Sequence, residues 1–118
     1  MLSMLTEDPD AYLAQLQAAG AFVEAAPVKT AVTWTRQNAA GEEVSDSFDV
    51  WVRRRSFGTF ERVAMLGEDR SKSAKMLSEC VLLGDAQEAI TYEQAYQLDP
   101  SLAIVLVNAV QEANAPKA

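Results

Sequence analysis

Carboxylates are the only side chains in this sequence that are numerous enough to suggest acid–base catalysis. The chain has no histidine, which removes Ser-His-Asp and Cys-His sites and imidazole general bases. Closely spaced carboxylates occur in three places, at Glu42/Glu43, Asp46/Asp49 and Glu68/Asp69. A catalytic carboxylic acid needs an apolar pocket that raises its pKa, and all three pairs lie in polar or turn-like segments. We therefore predict solvated carboxylates and a protein that is not an enzyme, with a small carboxylate-dependent hydrolase as the alternative.

The single cysteine gives little basis for thiol or metal chemistry. Cys80 lies in the apolar run KMLSECVLL, where a lone cysteine is typical of a small buried hydrophobic residue. A catalytic thiolate would need a basic partner such as histidine, and one cysteine can form neither an intrachain disulfide nor a thiolate metal cage. Glycine-rich phosphate loops and the EF-hand spacing are also absent from the sequence. We predict no metal site and no cofactor.

Basic residues are concentrated in the middle of an acidic chain. The net charge is −7, yet the segment from Arg53 to Lys75 contains seven basic and three acidic residues. The run Arg53-Arg54-Arg55, with Arg62 beyond it, could bind phosphate or acidic side chains, and nucleic-acid binding is one reading of it. The acidic balance and the lack of interleaved aromatics weigh against nucleic acid. A solvated basic surface, or one that orients a partner, is the favoured interpretation.

Length and hydropathy predict one domain over 1–118, in which 1–7 and 114–118 are expected to be loose. No run of about 18 apolar residues is present, so we expect no membrane-spanning helix. The first residues, MLSMLTED, lack the basic region of a secretory signal. We therefore expect a cytoplasmic protein.

The first half of the chain predicts one helix followed by a β-hairpin. An Asp-Pro pair at 8–9 is typical of a helix N-cap and N1, and Gly20 suits the C′ position, so we predict a helix over 9–19. Alternating apolar and polar residues then predict antiparallel strands near 28–36 and 44–54, joined by a loop longer than two residues.

Trp51 does not follow the alternation of its strand. It falls on the face opposite Phe48 and Val50. Either the N-terminal helix or a third strand covers it, which we favour, or it is an aromatic anchor that faces a partner.

The middle of the chain predicts two helices. Ser56 is a suitable N-cap for a helix that begins at Phe57 and ends at Gly67, with apolar residues on one face at Phe57, Phe60, Val63 and Ala64. A further helix is predicted over 70–83, with Gly84 at C′. Its inward residues are predicted to be Ala74, Leu77, Cys80 and Val81. Residues 85–90 are interpreted as a connector.

Two capped helices are predicted at the end of the chain. Thr91 and Gln94 have the spacing of a capping box, and Asp99-Pro100 starts a last helix that runs to about Ala113. The predicted fold class is therefore α+β: an N-terminal helix, an antiparallel β-hairpin, and a C-terminal cluster of three to four helices.

The last helix is apolar almost all round. One stripe contains Leu102, Leu106, Ala109, Val110 and Ala113, whereas Ile104, Val105 and Val107 lie partly off it. Either the helix is enclosed by the hairpin and the middle helices, or a second apolar stripe binds a partner helix or a second copy. Under the second hypothesis the predicted partner-binding residues are Leu102, Val105, Leu106, Val107 and Trp51.

Three blocks of the sequence resemble the tail assembly chaperones of long-tailed bacteriophages and prophages. They are DVWVRRRSFGTFERV (49–63), EDRSKSAKMLSECVLLGD (68–85) and ITYEQAYQLDPSLAIVLVNAVQEAN (90–114). The order of a strand, an SFG helix start, a DRS helix start and an apolar C-terminal helix carries the resemblance. It covers about 49–114 and, loosely, the hairpin before it.

The resemblance implies a non-enzymatic role with no active site. It implies a chaperone that binds the tape measure protein, keeps it soluble and helps recruit tail tube subunits, in the host cytoplasm and outside the mature virion. The alternative is a structural virion component, such as a small tail protein or a head–tail connector. Self-association of the chain is compatible with both readings.

Overall fold

The computed structural model of the protein describes residues 9–23 and 26–114, with side chains from Tyr12 onwards. The described helices are α1 (Pro9–Ala18), α2 (Phe57–Ala64), α3 (Lys72–Cys80), α4 (Tyr92–Tyr96) and α5 (Pro100–Ala113). The described strands are β1 (Val28–Gln37), β2 (Glu43–Val52), β3 (Val81–Leu83) and β4 (Glu88–Ala89). The predicted α+β class and the order of helix, hairpin and helical cluster are confirmed.

The four strands form one antiparallel sheet in the order β1-β2-β3-β4. In the long β1–β2 hairpin, Val28 lies opposite Val52 and Gln37 lies opposite Glu43, so the loop between the strands has five residues. The hairpin and its long loop are therefore as predicted. Only one face of the sheet carries the main core, as the alternation of apolar and polar residues along both strands requires.

The core lies between this face of the sheet and helices α3, α4 and α5. It contains Val32, Val50, Val52, Ala74, Leu77, Cys80, Val81, Ala95, Leu106, Ala109 and Val110. All four residues predicted to face inward from the segment 70–83 belong to this set. Burial raises the pKa of the Cys80 thiol, because the charged thiolate would lose its hydration inside the core.

The helix predicted over 70–83 is too long at its C-terminal end. It ends at Cys80, and Val81–Leu83 instead forms β3, which pairs with Val50–Val52 of β2. The edge of β2 offers unpaired backbone groups, so pairing there overrides the local helical pattern. Gly84 does adopt a positive φ of 71°, but it opens the turn between β3 and β4 and is not a helix C′ residue. The predicted connector 85–90 accordingly contains β4.

The predicted helix caps agree with the structure in most other places, but α2, which was predicted to end at Gly67, ends at Ala64 with Met65 as its C-cap. Thr91 accepts a hydrogen bond from Gln94 N–H, and Thr91 N–H donates to the Gln94 side chain, which completes the capping box. Ser56 caps α2, and Asp99 with Pro100 begins α5. Gly20 has φ of 87° just after α1, where Ala21 N–H donates to Leu16 C=O as in a Schellman motif. The predicted N-cap at Asp8 and the loose segment 1–7 lie outside the described residues.

The end of α5 is tied back to the chain. Asn114, predicted as the first residue of a loose tail, accepts a hydrogen bond at Oδ1 from the backbone N–H of Arg55 at 2.7 Å. Its Nδ2 donates to the Val110 carbonyl at 2.8 Å. Together these bonds hold the C-terminus of α5 against the segment that joins β2 to α2.

An ion-pair cluster joins α2 to α3. Arg62 donates from Nη2 to Oε1 of Glu79 at 2.8 Å and from Nε to Oε2 at 3.0 Å, and Lys75 Nζ lies 3.3 Å from Oε2. The hydrogen bond from Arg62, assisted by that from Lys75, holds the pKa of Glu79 below its ordinary value of 4.5. A planar guanidinium that binds both carboxylate oxygens fixes the relative orientation of the two helices.

Replacing Glu79 with glutamine should lower stability at neutral pH and matter little in acid. A carboxylate whose folded-state pKa is depressed contributes stability above its unfolded pKa, and this contribution is lost as the pH falls through the folded pKa. We expect the midpoint of urea unfolding to fall by about 0.3 M at pH 7, since the pair is partly solvated. The difference from the natural chain should shrink as the pH falls below 4.5 and through the depressed pKa of Glu79. Glu61→Gln, on the exposed side of α2, is the control; an equal effect of the two variants would contradict the assignment.

Candidate partner-binding groove

The candidate site is an apolar groove between α5 and the pair α3–α4. Helix α5 reaches this position because Asp99 and Pro100 start it directly after the short α4. Helix α4 is anchored in turn, because the Tyr92 hydroxyl accepts a hydrogen bond from Ser71 N–H at the start of α3, at 2.8 Å. These local contacts fix the spacing of the groove walls before any partner is present.

The groove has a deeper part and a shallower part that share Ser73, Pro100, Ala103 and Val107. The deeper part, of about 250 Å³, reaches down to Leu77 and the helix α4. The shallower part, of about 410 Å³, extends along α5 to further residues, Ile104 and Asn108. Ile104 is 60% exposed although it is a large aliphatic residue. The lining is mainly apolar and open to solvent, which suits a protein segment.

Helix α5 has three distinct sides. Leu106, Ala109 and Val110 are buried and face the sheet. Pro100, Ala103, Ile104 and Val107 have the spacing i, i+3, i+4 and i+7 and line the groove. Val105 lies on the flank towards β1, since it is one turn from Ser101, whose Oγ accepts a hydrogen bond from Trp34 Nε1 at 2.8 Å.

The structure separates the five residues predicted to bind a partner. Leu106 is 1% exposed and belongs to the core, while Leu102, Val105 and Val107 are partly buried against that core. Val107 is the one that lines the groove. Trp51 lies on the face of the sheet that is turned away from α5. It is paired with Leu82 on the neighbouring strand β3, and Lys29 Nζ lies 5.8 Å from its ring centroid. The five residues therefore do not form one continuous surface, and a binding role for each stays a prediction.

Sequence reasoning did not include Tyr96, Pro100, Ala103 and Ile104 among the partner-binding residues, although it noted that Ile104 lies off the main stripe of α5. The spacing of the last three with Val107 was visible in the sequence as a second helical stripe. Tyr96, which stacks on Tyr92 with ring centroids 6.0 Å apart, carries no such signal. Its place at the groove depends on where α4 packs.

The polar clusters noted in the sequence lie on the surface. All six of the paired carboxylates are exposed, as predicted, and two of them form ion pairs across the hairpin, Asp46 with Arg36 and Asp49 with Lys29. Within residues 9–23 and 26–114, no cluster of three or more Asp, Glu, His or Cys side chains could hold a metal ion. In the same part of the chain, every buried side-chain nitrogen or oxygen has a hydrogen-bond partner.

The arginine cluster borders a separate polar cavity of about 370 Å³. Arg53, Arg54 and Arg62 line it together with Ser56, Thr59, Glu79 and Val23. The charge of Arg62 is compensated by Glu79. Arg53 and Arg54 are exposed and form no ion pair with the other residues that the structure describes.

Fold and groove together define a small α+β protein with an open apolar groove that suits contact with another protein. Comparison with family models identifies the family: the model of the phage tail assembly chaperones (TAC) matches residues 14–114, which is most of the chain. This protein belongs to that family. The match extends further towards the N-terminus than the resemblance noted in the sequence.

Family membership implies interaction with other phage tail proteins and is consistent with a non-enzymatic role. Searches of curated proteins and of solved structures found no match to this chain. No helix among the described residues has the length and hydropathy needed to cross a membrane.

Proposed function

We propose that this chaperone binds the tape measure protein through the groove of α5, keeps it soluble, and helps recruit tail tube subunits around it. It acts in the host cytoplasm and is absent from the mature virion. The observation that carries the proposal is the open apolar groove on a member of the tail assembly chaperone family. A long helical protein that is not yet enclosed by the tube exposes apolar stripes, which an amphipathic groove can cover.

The chemistry of the groove supports an apolar helical client. Ala103 is small and lies one turn from both Pro100 and Val107, so a partner helix can approach α5 closely at this point. Ser73 and Asn108 provide polar groups at the rim. The net charge of −7 on the chain favours solubility of the complex.

The test is co-expression of the natural chain with the tape measure protein of the same tail gene cluster. We expect most of the tape measure protein to move from the pellet to the soluble fraction and to be recovered with the tagged chaperone. Unchanged solubility together with no co-purification would contradict the proposal. Mass spectrometry of purified virions separates the alternative: stoichiometric recovery of this chain from particles would identify a structural tail or connector component.

A further inference from the structure

The cavity of about 370 Å³ beside the segment that joins β2 to α2 has a lining rich in hydrogen-bond donors. Three arginines line it, Arg53, Arg54 and Arg62, together with two hydroxyl-bearing residues, Ser56 and Thr59. The side chains of all five can donate hydrogen bonds, and the guanidinium groups carry a permanent positive charge. The lining therefore suits a negatively charged group better than a neutral or positively charged one.

The positive charge at this cavity is only partly compensated. Among the residues that the structure describes, Glu79 is the one carboxylate in the lining, and it already binds Arg62 at 2.8 Å and Lys75 at 3.3 Å. Arg53 and Arg54 have no ion-pair partner in the same part of the chain. Four basic residues against one carboxylate leave three positive charges here, on a chain whose net charge is −7. Such an excess attracts a ligand with two or three negative charges.

The backbone that carries the two free arginines is fixed on both sides. Arg53 N–H donates a hydrogen bond to the Cys80 carbonyl at 2.7 Å, and Arg55 N–H donates to Asn114 Oδ1 at 2.7 Å. Arg54 lies between these two anchored residues. A ligand therefore has to order only the side chains of the arginines, which lowers the entropic cost of binding.

We propose that this cavity binds the carboxylate side chains of an acidic segment of a partner protein. A guanidinium group can bind both oxygens of a carboxylate, as Arg62 does with Glu79, and the family of this chain interacts with other proteins. A nucleic acid fits less well, because its evenly charged backbone would continue beyond the cavity. The segment Arg53–Lys75 has a net charge of +4, so the rest of the chain carries −11 and repels such a backbone. None of the cavity residues lines the α5 groove, so this site is separate from that of the proposed function.

A rhodamine-labelled peptide of glutamates tests the proposal by fluorescence anisotropy in about 0.1 M salt. The natural chain should bind it with a dissociation constant of about 100 µM or lower, and a glutamine peptide of the same length should not bind. The double variant Arg53→Gln, Arg54→Gln should bind at least about tenfold more weakly. The matched control is Arg70→Gln, Lys72→Gln, which removes two charges from the same basic segment at residues that do not line the cavity. Its affinity should stay within about twofold of the natural one.

Several results would overturn the proposal, once circular dichroism has shown that both double variants keep the fold. One is a natural chain that does not bind the glutamate peptide, and another is equal affinity of the two double variants. Tighter binding of a DNA duplex of about 12 base pairs, lost in Arg53→Gln, Arg54→Gln, would identify a nucleic acid as the ligand. Glu24 follows the lining residue Val23 and lies outside the described residues, so a tenfold gain in peptide affinity in Glu24→Gln would identify the occupant as a carboxylate of the chain itself. None of these measurements involves the tape measure protein, so the test of the proposed function stays separate.

Discussion

Truncating Leu106 to alanine is expected to lower the free energy of unfolding by about 2–5 kcal/mol. Leu106 is among the largest fully buried side chains and belongs to the core cluster with Val50 and Val110. Removing three methylene-sized groups there loses their transfer free energy and leaves a cavity that the sheet and α5 can only partly close. Urea unfolding at pH 7, followed by circular dichroism, measures the change.

Ile104→Ala is the matched control for this prediction. It removes the same number of carbon atoms from the same helix, two residues away, but at a side chain that is 60% exposed. Its effect on the free energy of unfolding should stay within about 0.5 kcal/mol. Equal costs for the two variants would mean that α5 does not present its Leu106 side to the sheet.

Replacing Val107 with lysine is expected to reduce recovery of the soluble tape measure protein by at least about tenfold. Val107 lines both parts of the groove, so an ammonium group there must either lose its hydration when an apolar helix binds or keep that helix out. The long lysine side chain can reach solvent in the unbound chain because the groove is open. The co-expression assay, with the soluble fraction and the pull-down quantified together, measures the loss.

Gln37→Lys is the control, because it adds the same charge at an exposed residue of β1 that does not line the groove. It should bind the client like the natural chain. Val107 also contacts the core, so urea unfolding of Val107→Lys must show that the variant is folded. Ile104→Ser provides a second groove variant at an exposed residue, with a smaller loss expected. Full client recovery by both groove variants would place the binding surface elsewhere on the molecule.

The distinction between Val105 and Val107 illustrates what the structure adds to the sequence. Both are β-branched residues that lie partly off the main stripe of α5. In the folded chain Val105 lies on the flank of α5 towards β1, which is the flank where Ser101 accepts a hydrogen bond from Trp34. Val107 instead lines the groove between α5 and the pair α3–α4. Periodicity places two residues on a helix, but only the neighbouring elements decide which flank stays open.

Local interactions were predictable because they depend on a few adjacent residues. The capping box at Thr91, the Asp99-Pro100 start of α5 and the left-handed Gly20 after α1 each satisfy backbone groups within one turn. The alternation along 28–36 and 44–54 likewise predicted the hairpin and the face that carries its core.

Pairing between distant segments was not predictable in the same way. Residues 81–83 continue the apolar pattern of α3, yet they form a strand because the edge of β2 is adjacent and its backbone groups need partners. Helix α2 shows the same limit, since the stripe containing Phe57 and Phe60 was visible in the sequence but its outward orientation was not.

The sequence by itself determined the elements whose backbone N–H and C=O groups are hydrogen-bonded by neighbouring residues, and with them the α+β class. It also determined the acidic, histidine-free composition that leaves few catalytic options. Only the tertiary structure decided that α5 buries Leu106 and leaves a groove beside Val107, and that α2 turns its aromatic residues outward. The physical reason is that a helix can present its apolar residues in several directions at similar local cost. Packing against distant strands and helices selects one of them.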